Sequence, residues 1–264
     1  MRSRRNMIDS RIPIVLNFPN LGSMNVLLSS DMHVGSAQFD ERKWNEFEKL
    51  IAEPQNYVIF SGDQMEYATA RSKSNIYETT MHPREVKRWW IDRMKPYKDK
   101  ILCIIDGNHE YNRASRDADA YPLYDVAYSL EIEDRYRSEA AFVDLNIGKW
   151  TVKGHHGEPV QYVFRVNHKA QNLVNYGTAD GIEGIDVFVS GHTHKPTDKP
   201  LGKLVYNRNN RSVYERTVEN IVCGSFLKHG GYGERGGMRP TSQKLYYVEL
   251  CGSYRNIKTV GFHL

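Results

Sequence analysis

Cysteine is scarce in this chain. Three occur in 264 residues, Cys103, Cys223 and Cys251, each inside an apolar segment. An odd, widely spaced set excludes a disulfide framework and points to a reducing, cytoplasmic setting. It also argues against a structural zinc knot built on thiolates. Long hydrophobic runs are lacking as well. No apolar stretch is long enough to cross a bilayer, so no membrane partner is expected. The N-terminal MRSRRNMIDS is basic, but no signal-type apolar core follows it. Residues 12–18 are short, interrupted by Pro13, and read as an edge strand or extended arm. Repeats, low-complexity tracts and linkers are absent, which leaves one domain over 1–264 with polar, helical insertions around 64–95 and 111–138. Charge is close to balanced: the net value is +4 and the pI 8.8. That permits an anionic partner without requiring one.

What the chain does have is a recurring set of metal-capable side chains. They fall in five blocks: Asp31-Met32-His33, Gly62-Asp63, Gly107-Asn108-His109-Glu110, His155-His156-Gly157 and Gly191-His192-Thr193-His194. Four follow apolar, β-branched runs that read as strands, at 24–30, 57–60, 101–105 and 186–189. Helices are predicted over 40–52, 84–94 and 123–130, with a short one over 168–177. Residues 140–146 and 149–153 flank Ile147-Gly148 as a hairpin. Strands at 203–206, 218–223, 244–250 and 257–260 complete the second half. A β-α-β-α-β first half and a β-rich second half suit two packed sheets with helices outside better than one parallel sheet.

Each block offers hard oxygen or imidazole donors. At a strand end, residues i and i+2 share a face, so Asp31 with His33, and His192 with His194, can each address one ion. Asp63 can bridge two ions, and Asn108 offers a neutral carbonyl oxygen. Such donors suit manganese, iron or zinc. Six of the ten histidines lie in the blocks; His82, His168, His229 and His263 lie outside them.

In order and combination these blocks resemble the calcineurin-like metallophosphoesterase superfamily, whose pattern here reads DMH, GDQME, GNHE, HHG and GHTH. The resemblance spans Asp31 to His194. It implies a four-layer αββα sandwich: two mixed sheets flanked by helices, an α/β (α+β) fold. It implies two divalent metal ions, with Mn2+ first and Fe, Zn or Ni as alternatives. Asp31, His33, Asp63 and His194 would hold the first ion; Asp63, Asn108, the histidine of HHG and His192 the second. His155 and His156 compete for that place, and His156 is favoured because it directly precedes Gly157. His109 would sit over the substrate phosphate, steadying charge or protonating the leaving oxygen, with Asn108 and Arg113 beside the substrate. Asp63 and His109 are thus the catalytic candidates. Paired cations make hydroxide available from a bridging water near neutral pH and neutralise phosphate oxygens during in-line attack.

Glu66 stands where the family often has Asp. The Asp-Arg-Gly of the phosphoprotein phosphatases is missing after Gly62-Asp63, which weakens that reading. Cations and aromatics crowd the two insertions, among them Tyr67, Arg71, Lys87, Arg88, Trp89 and Trp90, then Tyr111, Arg113, Arg116 and Tyr121. Beside a phosphate-cleaving centre they suit a phosphodiesterase or nuclease acting on nucleotides or nucleic acid. The same residues also fit a helix anchored by its tryptophans with a solvated basic face. The alternatives are a phosphomonoesterase and, further off, a non-catalytic scaffold. The glycine-rich 227–240 segment reads either as a loop over the site or as a plain surface connection.

Overall fold

The computed structural model describes residues 9–72, 76–148, 151–152, 155–169, 182–230, 234–237 and 239–264, with backbone alone for 151–152 and 155–156. In chain order the strands are β1 (Ile14–Phe18), β2 (Ser23–Ser29), β3 (Asn56–Ser61), β4 (Ile101–Ile105), β5 (Tyr136–Arg137), β6 (Ala140–Ile147), β7 (Thr151–Val152), β8 (His155–His156), β9 (Val160–Lys169), β10 (Val187–Gly191), β11 (Thr197–Asp198), β12 (Leu201–Asn207), β13 (Ser212–Val222), β14 (Leu245–Cys251) and β15 (Ile257–Phe262). Two mixed sheets result. One runs β15-β14-β2-β3-β4-β5, with β2, β3, β4 and β5 parallel. The other runs β1-β6-β9-β10-β13-β11, with β12 paired to β13.

Three helices cover the outer face of the first sheet. In α1 (Glu41–Ala52), Trp44, Phe47 and Ile51 fall at i, i+3 and i+7 and are buried, and the Asp40 side chain accepts from the Lys43 amide. In α2 (Pro83–Met94), Val86, Trp90 and Met94 fall at i, i+4 and i+8. Pro83 opens the helix, and the Glu85 carboxylate accepts the His82 N–H at 2.7 Å. In α3 (Pro122–Ser129), Leu123, Val126 and Ala127 face inward. These side chains pack with Leu27, Val58, Phe60 and Ile104. A second core fills the space between the sheets: Val26, Leu28, Ile59, Cys103 and Ile105 meet Val143, Leu145, Phe164, Val166, Val187 and Val189. The mixed α/β architecture with two packed sheets is the one expected.

Two local expectations are corrected. β6 pairs antiparallel with β9 over eight positions, Ala140↔Asn167 to Ile147↔Val160, while β7, the described part of the expected hairpin partner, pairs with β8; residues 149, 150 and 153 lie outside the described residues. Both strands alternate buried and half-buried residues along their length, and this long register buries far more than a short hairpin can. His168 lies in β9, not in a helix; residues 170–177 of the expected helix lie outside the described residues. Cys251 is only half-buried, whereas Cys103 and Cys223 are buried; all three are free thiols.

Candidate metal centre

The C-terminal ends of β2, β3, β4 and β10 meet at one edge, and the predicted blocks follow them. Beyond the strands the pairing continues through the loops. The Asp31, His33 and Val34 amides donate to the Gly62, Asp63 and Gln64 oxygens at 3.0 Å each, and the Glu66 amide returns to Val34 at 3.0 Å. Asp31, His33, Asp63, His192 and His194 all have left-handed backbones, with φ of 52°, 52°, 51°, 70° and 56°. The simple two-residue strand alternation therefore does not aim them; the kinked loops do. Each such residue costs on the order of 1–3 kcal/mol and persists only where surrounding structure imposes it.

Two glycines let these loops meet. Gly62 has φ +96°, and a Cβ there would lie 2.7 Å from the His168 ring. A Cβ on Gly191 would overlap Ser30 Oγ and lie 2.6 Å from Asp31 Oδ2. That close approach allows the His192 amide to donate to both Asp31 carboxylate oxygens, at 3.1 and 2.9 Å.

Three overlapping groups of donor atoms result: Asp31, His33 and His194; His33, Asp63 and His109; and Asp63, His168 and His192. In each group the atoms lie within 4.8 Å of one another. His194 Nε2 stands 3.2 Å from Asp31 Oδ1 and 3.3 Å from His33 Nε2. His168 Nε2 stands 3.1 Å from Asp63 Oδ2 and 3.2 Å from Asn108 Oδ1, while its Nδ1 donates to the Ser61 carbonyl at 2.9 Å. The His109 amide donates to Asp63 Oδ1 at 2.8 Å. Asp31, His33, Asp63, His109 and His168 are buried, and His192 is exposed, so the cluster opens to solvent on the β10 side.

Carboxylates and imidazoles shift one another strongly across the cluster. Against burial, His194 and His168 hold the Asp31 carboxyl below its usual range, and His168 and His109 hold Asp63 well below it. Against burial again, the two carboxylates raise His168 to about 9, and Glu66 with the aspartates raises His33. Burial lowers His109 to about 3, reinforced by His33 and Arg113 and opposed by Asp63 and Glu66. In each of the three groups, carboxylate and imidazole donors converge closely enough to share one cation. An oxygen and nitrogen donor set without sulfur suits a hard or borderline divalent cation.

A supporting layer holds these groups in place. Glu110 Oε2 accepts the Asp63 and Gly107 amides at 3.1 and 2.9 Å, and its Oε1 accepts the Met65 amide at 2.8 Å. Burial and the charge of Asp63 push its carboxyl up to about 7. Glu66 Oε2 lies 3.2 Å from His33 Nδ1 and 3.5 Å from His109 Nδ1.

Asp31, His33, Asp63, Asn108, His109, His192 and His194 are thus brought together. The side chains of His155 and His156 lie outside the described residues. Next to Asp63 and His192 the structure places His168, which the motif reading left aside. The signal was in the strand: Tyr162, Phe164, Val166 and His168 alternate along β9 onto the face that packs between the sheets. A histidine closing such a series at the strand's C-terminal end points where the other blocks point. Arg113, expected beside the substrate, is paired with Glu66.

A buried carboxylate and imidazole cluster at the strand ends of a two-sheet α/β fold offers the donor set of a metal centre. Residues 24–196, more than half of the chain, match the calcineurin-like phosphoesterase family model. The chain belongs to this family and is a metal-dependent phosphoesterase. No curated protein is matched. Among solved structures, the chain is similar to a metallophosphoesterase from Sphaerobacter thermophilus, at 12% identity and TM-score 0.40, over 91% of this chain and 89% of that one. It is also similar to the NAD nucleotidase NadN of Haemophilus influenzae, at 12% identity and TM-score 0.39, over 93% of this chain and 51% of that one. It therefore spans about half of the latter protein. No described helix is long and apolar enough to cross a membrane.

Proposed function

We propose that the chain is a dinuclear phosphodiesterase acting on nucleotide or nucleic-acid phosphodiesters, with manganese as its metal. The observation that carries the two-ion reading is the overlap of the three donor groups, which share His33 and Asp63. Asp31, His33, Asp63 and His194 would hold one ion. Asp63, Asn108, His168 and His192 would hold the other, with His168 in the place expected for His156. When bound, such a pair supplies an activated water at neutral pH and neutralises phosphate oxygens.

The chain's own residues do the rest. Asp63 ties the two halves together, its carboxylate facing His168 on one side and accepting the His109 amide on the other. His109 is neutral in the free site because burial holds it so. An arriving phosphate anion raises its proton affinity, and Glu66, within 3.5 Å of His109 Nδ1, steadies the imidazolium as it donates to the leaving oxygen. Buried, unpaired Cys103 and Cys223 favour a reducing, cytoplasmic setting.

Support for the substrate class comes from exposed aromatics on segments attached to the site. Tyr111 follows His109 by two residues and is exposed. Tyr77 is exposed on a segment whose Thr80 amide donates to the Gly35 oxygen, beside the His33 loop. Such rings can stack on bases. The test is turnover of bis-(p-nitrophenyl) phosphate, p-nitrophenyl phosphate, single- and double-stranded DNA, RNA and cyclic nucleotides, with manganese and with chelator. We expect chelator-sensitive cleavage of the diesters above the monoester. Preference for the monoester overturns the substrate assignment, and cleavage that survives chelator overturns the metal assignment.

A further inference from the structure

The placement of Arg113 differs from a substrate contact. Its side chain is only 14% exposed, and Nη1 donates at 2.8 Å both to Glu66 Oε1 and to the Glu66 main-chain oxygen. The other carboxylate oxygen, Oε2, is left to face His33 Nδ1 at 3.2 Å and His109 Nδ1 at 3.5 Å; those two nitrogens are 3.1 Å apart. One carboxylate oxygen is therefore shared by two imidazoles, that of His33, proposed above as a metal ligand, and that of His109, proposed above to act on the substrate.

Glutamate has one more side-chain torsion than aspartate and more rotamer freedom to lose. A carboxylate on this longer arm needs a second anchor to serve one point in space. Arg113 supplies it through one nitrogen, Nη1, whose two hydrogens reach both the head and the main chain of the same residue, and the planar guanidinium fixes the direction of both bonds. It also lies four residues after His109 in the same helical turn, His109–Ser115. The turn that carries His109 thus carries the group that fixes its carboxylate partner.

We infer that Arg113 is a positioning residue: it holds Glu66 so that one carboxylate oxygen serves His33 and His109 together, and it does not contact the substrate. This rests on the role given to His109 above. The experiment uses the full, manganese-loaded chain with bis-(p-nitrophenyl) phosphate, and compares Arg113→Met, Arg113→Lys, Glu66→Gln and the double variant Glu66→Gln/Arg113→Met. Loss of an outer partner of a metal site costs about 10- to 100-fold. We expect that loss in kcat for Arg113→Met, with KM within about twofold, metal content unchanged, and a smaller loss for Arg113→Lys. The double variant should be no slower than Glu66→Gln within about twofold, since the arginine acts through the glutamate.

A second arm does not need turnover. In the ¹⁵N-histidine spectrum of the chain loaded with diamagnetic Zn2+ in place of manganese, Arg113→Met should move the Nδ1 resonances of His33 and His109 and leave that of His263 in place. A raised KM with unchanged kcat would make Arg113 a substrate contact. Unmoved resonances, multiplicative losses in the double variant, or failure of both Arg113 variants to fold would equally overturn the inference. If the wild-type chain proved inactive, the phosphodiesterase reading would fall while the spectra still decided the role of Arg113.

Discussion

Gly62→Ala is the sharpest small perturbation of this centre. The added methyl meets two separate obstacles. Its backbone, at φ +96°, lies on the left-handed side, which costs a residue with a Cβ about 1–2 kcal/mol. The Cβ itself would sit 2.7 Å from His168 Cγ and Nδ1 and 2.8 Å from Gly107 Cα. Neither neighbour can retreat freely. His168 is fixed by the Ser61 carbonyl at 2.9 Å and by Asp63 Oδ2 at 3.1 Å, and Gly107 by the hydrogen bond its N–H donates to Glu110 Oε2 at 2.9 Å. Overpacking of this kind costs about 1–3 kcal/mol. The total of about 2–5 kcal/mol corresponds to a fall in Tm of roughly 5–20 °C for a chain of this size. The shift is directional, because His168 must swing off Asp63. Calorimetry should show the lowered Tm, and a manganese titration should show one site weakened much more than the other. Gly202→Ala is the control: nothing lies within 4 Å of its Cβ position, so Tm and metal binding should not change. A Gly62→Ala chain that melts within about 2 °C of wild type and binds both ions unchanged would refute the packing argument and the place of His168 in the centre.

Two further predictions follow from other parts of the molecule. His168→Ala should weaken manganese binding by at least the roughly tenfold that an outer partner costs, whereas His156→Ala should leave it unchanged; the opposite result in a metal titration restores the HHG histidine as ligand. Lys43 on α1 is buried, and its Nζ donates to the Ser225 oxygen at 2.8 Å and to the Gln243 main-chain and side-chain oxygens at 3.0 Å. Burial, opposed by Asp40, lowers it from 10.5 to about 8. Between those values the unfolded chain holds the extra proton, so wild-type stability should rise with pH over that window, by up to about 3 kcal/mol. Lys43→Met should lack that rise. Urea unfolding of both chains across the window checks it, and parallel curves would refute it.

Much of the centre was legible because its chemistry is carried by rare side chains at fixed short spacings. Asp31 with His33, and His192 with His194, stand out against their apolar strands whatever the register of those strands. The helices were legible for a similar reason: Trp44, Phe47 and Ile51, or Val86, Trp90 and Met94, repeat at the spacing that buries one helical face. What stayed hidden depends on long-range register. His168 becomes part of the site only because β9 pairs with β6 on one side and β10 on the other, which no local pattern states. The same pairing displaces the expected tight hairpin after Ile147. The left-handed backbones were equally hidden, since Asp and His do not announce αL as glycine does. The pairing of Glu66 with Arg113 joins residues 47 apart in sequence, so a basic residue near the third block read as a substrate contact.

The backbone strain and the buried acid at this centre explain each other. Five residues of the donor cluster sit in a backbone region that each would leave if its loop were free. The carboxylate of Glu110 joins the loops after β3 and β4, taking amide hydrogens from Asp63, Met65 and Gly107. A buried anion beside Asp63 is unfavourable, as its upward shift to about 7 records, and hydrogen bonds to a charged acceptor recover about 1.5–3 kcal/mol each. Three of them offset the desolvation and bind together the two loops that carry Asp63, Asn108 and His109. A neutral side chain of the same shape would remove the unfavourable charge and with it most of the grip. The donors would then be free to relax out of the left-handed region and away from one another. The arrangement therefore favours a preorganised cluster over a more comfortable empty one, which is what a centre that must collect two like-charged ions from solution requires.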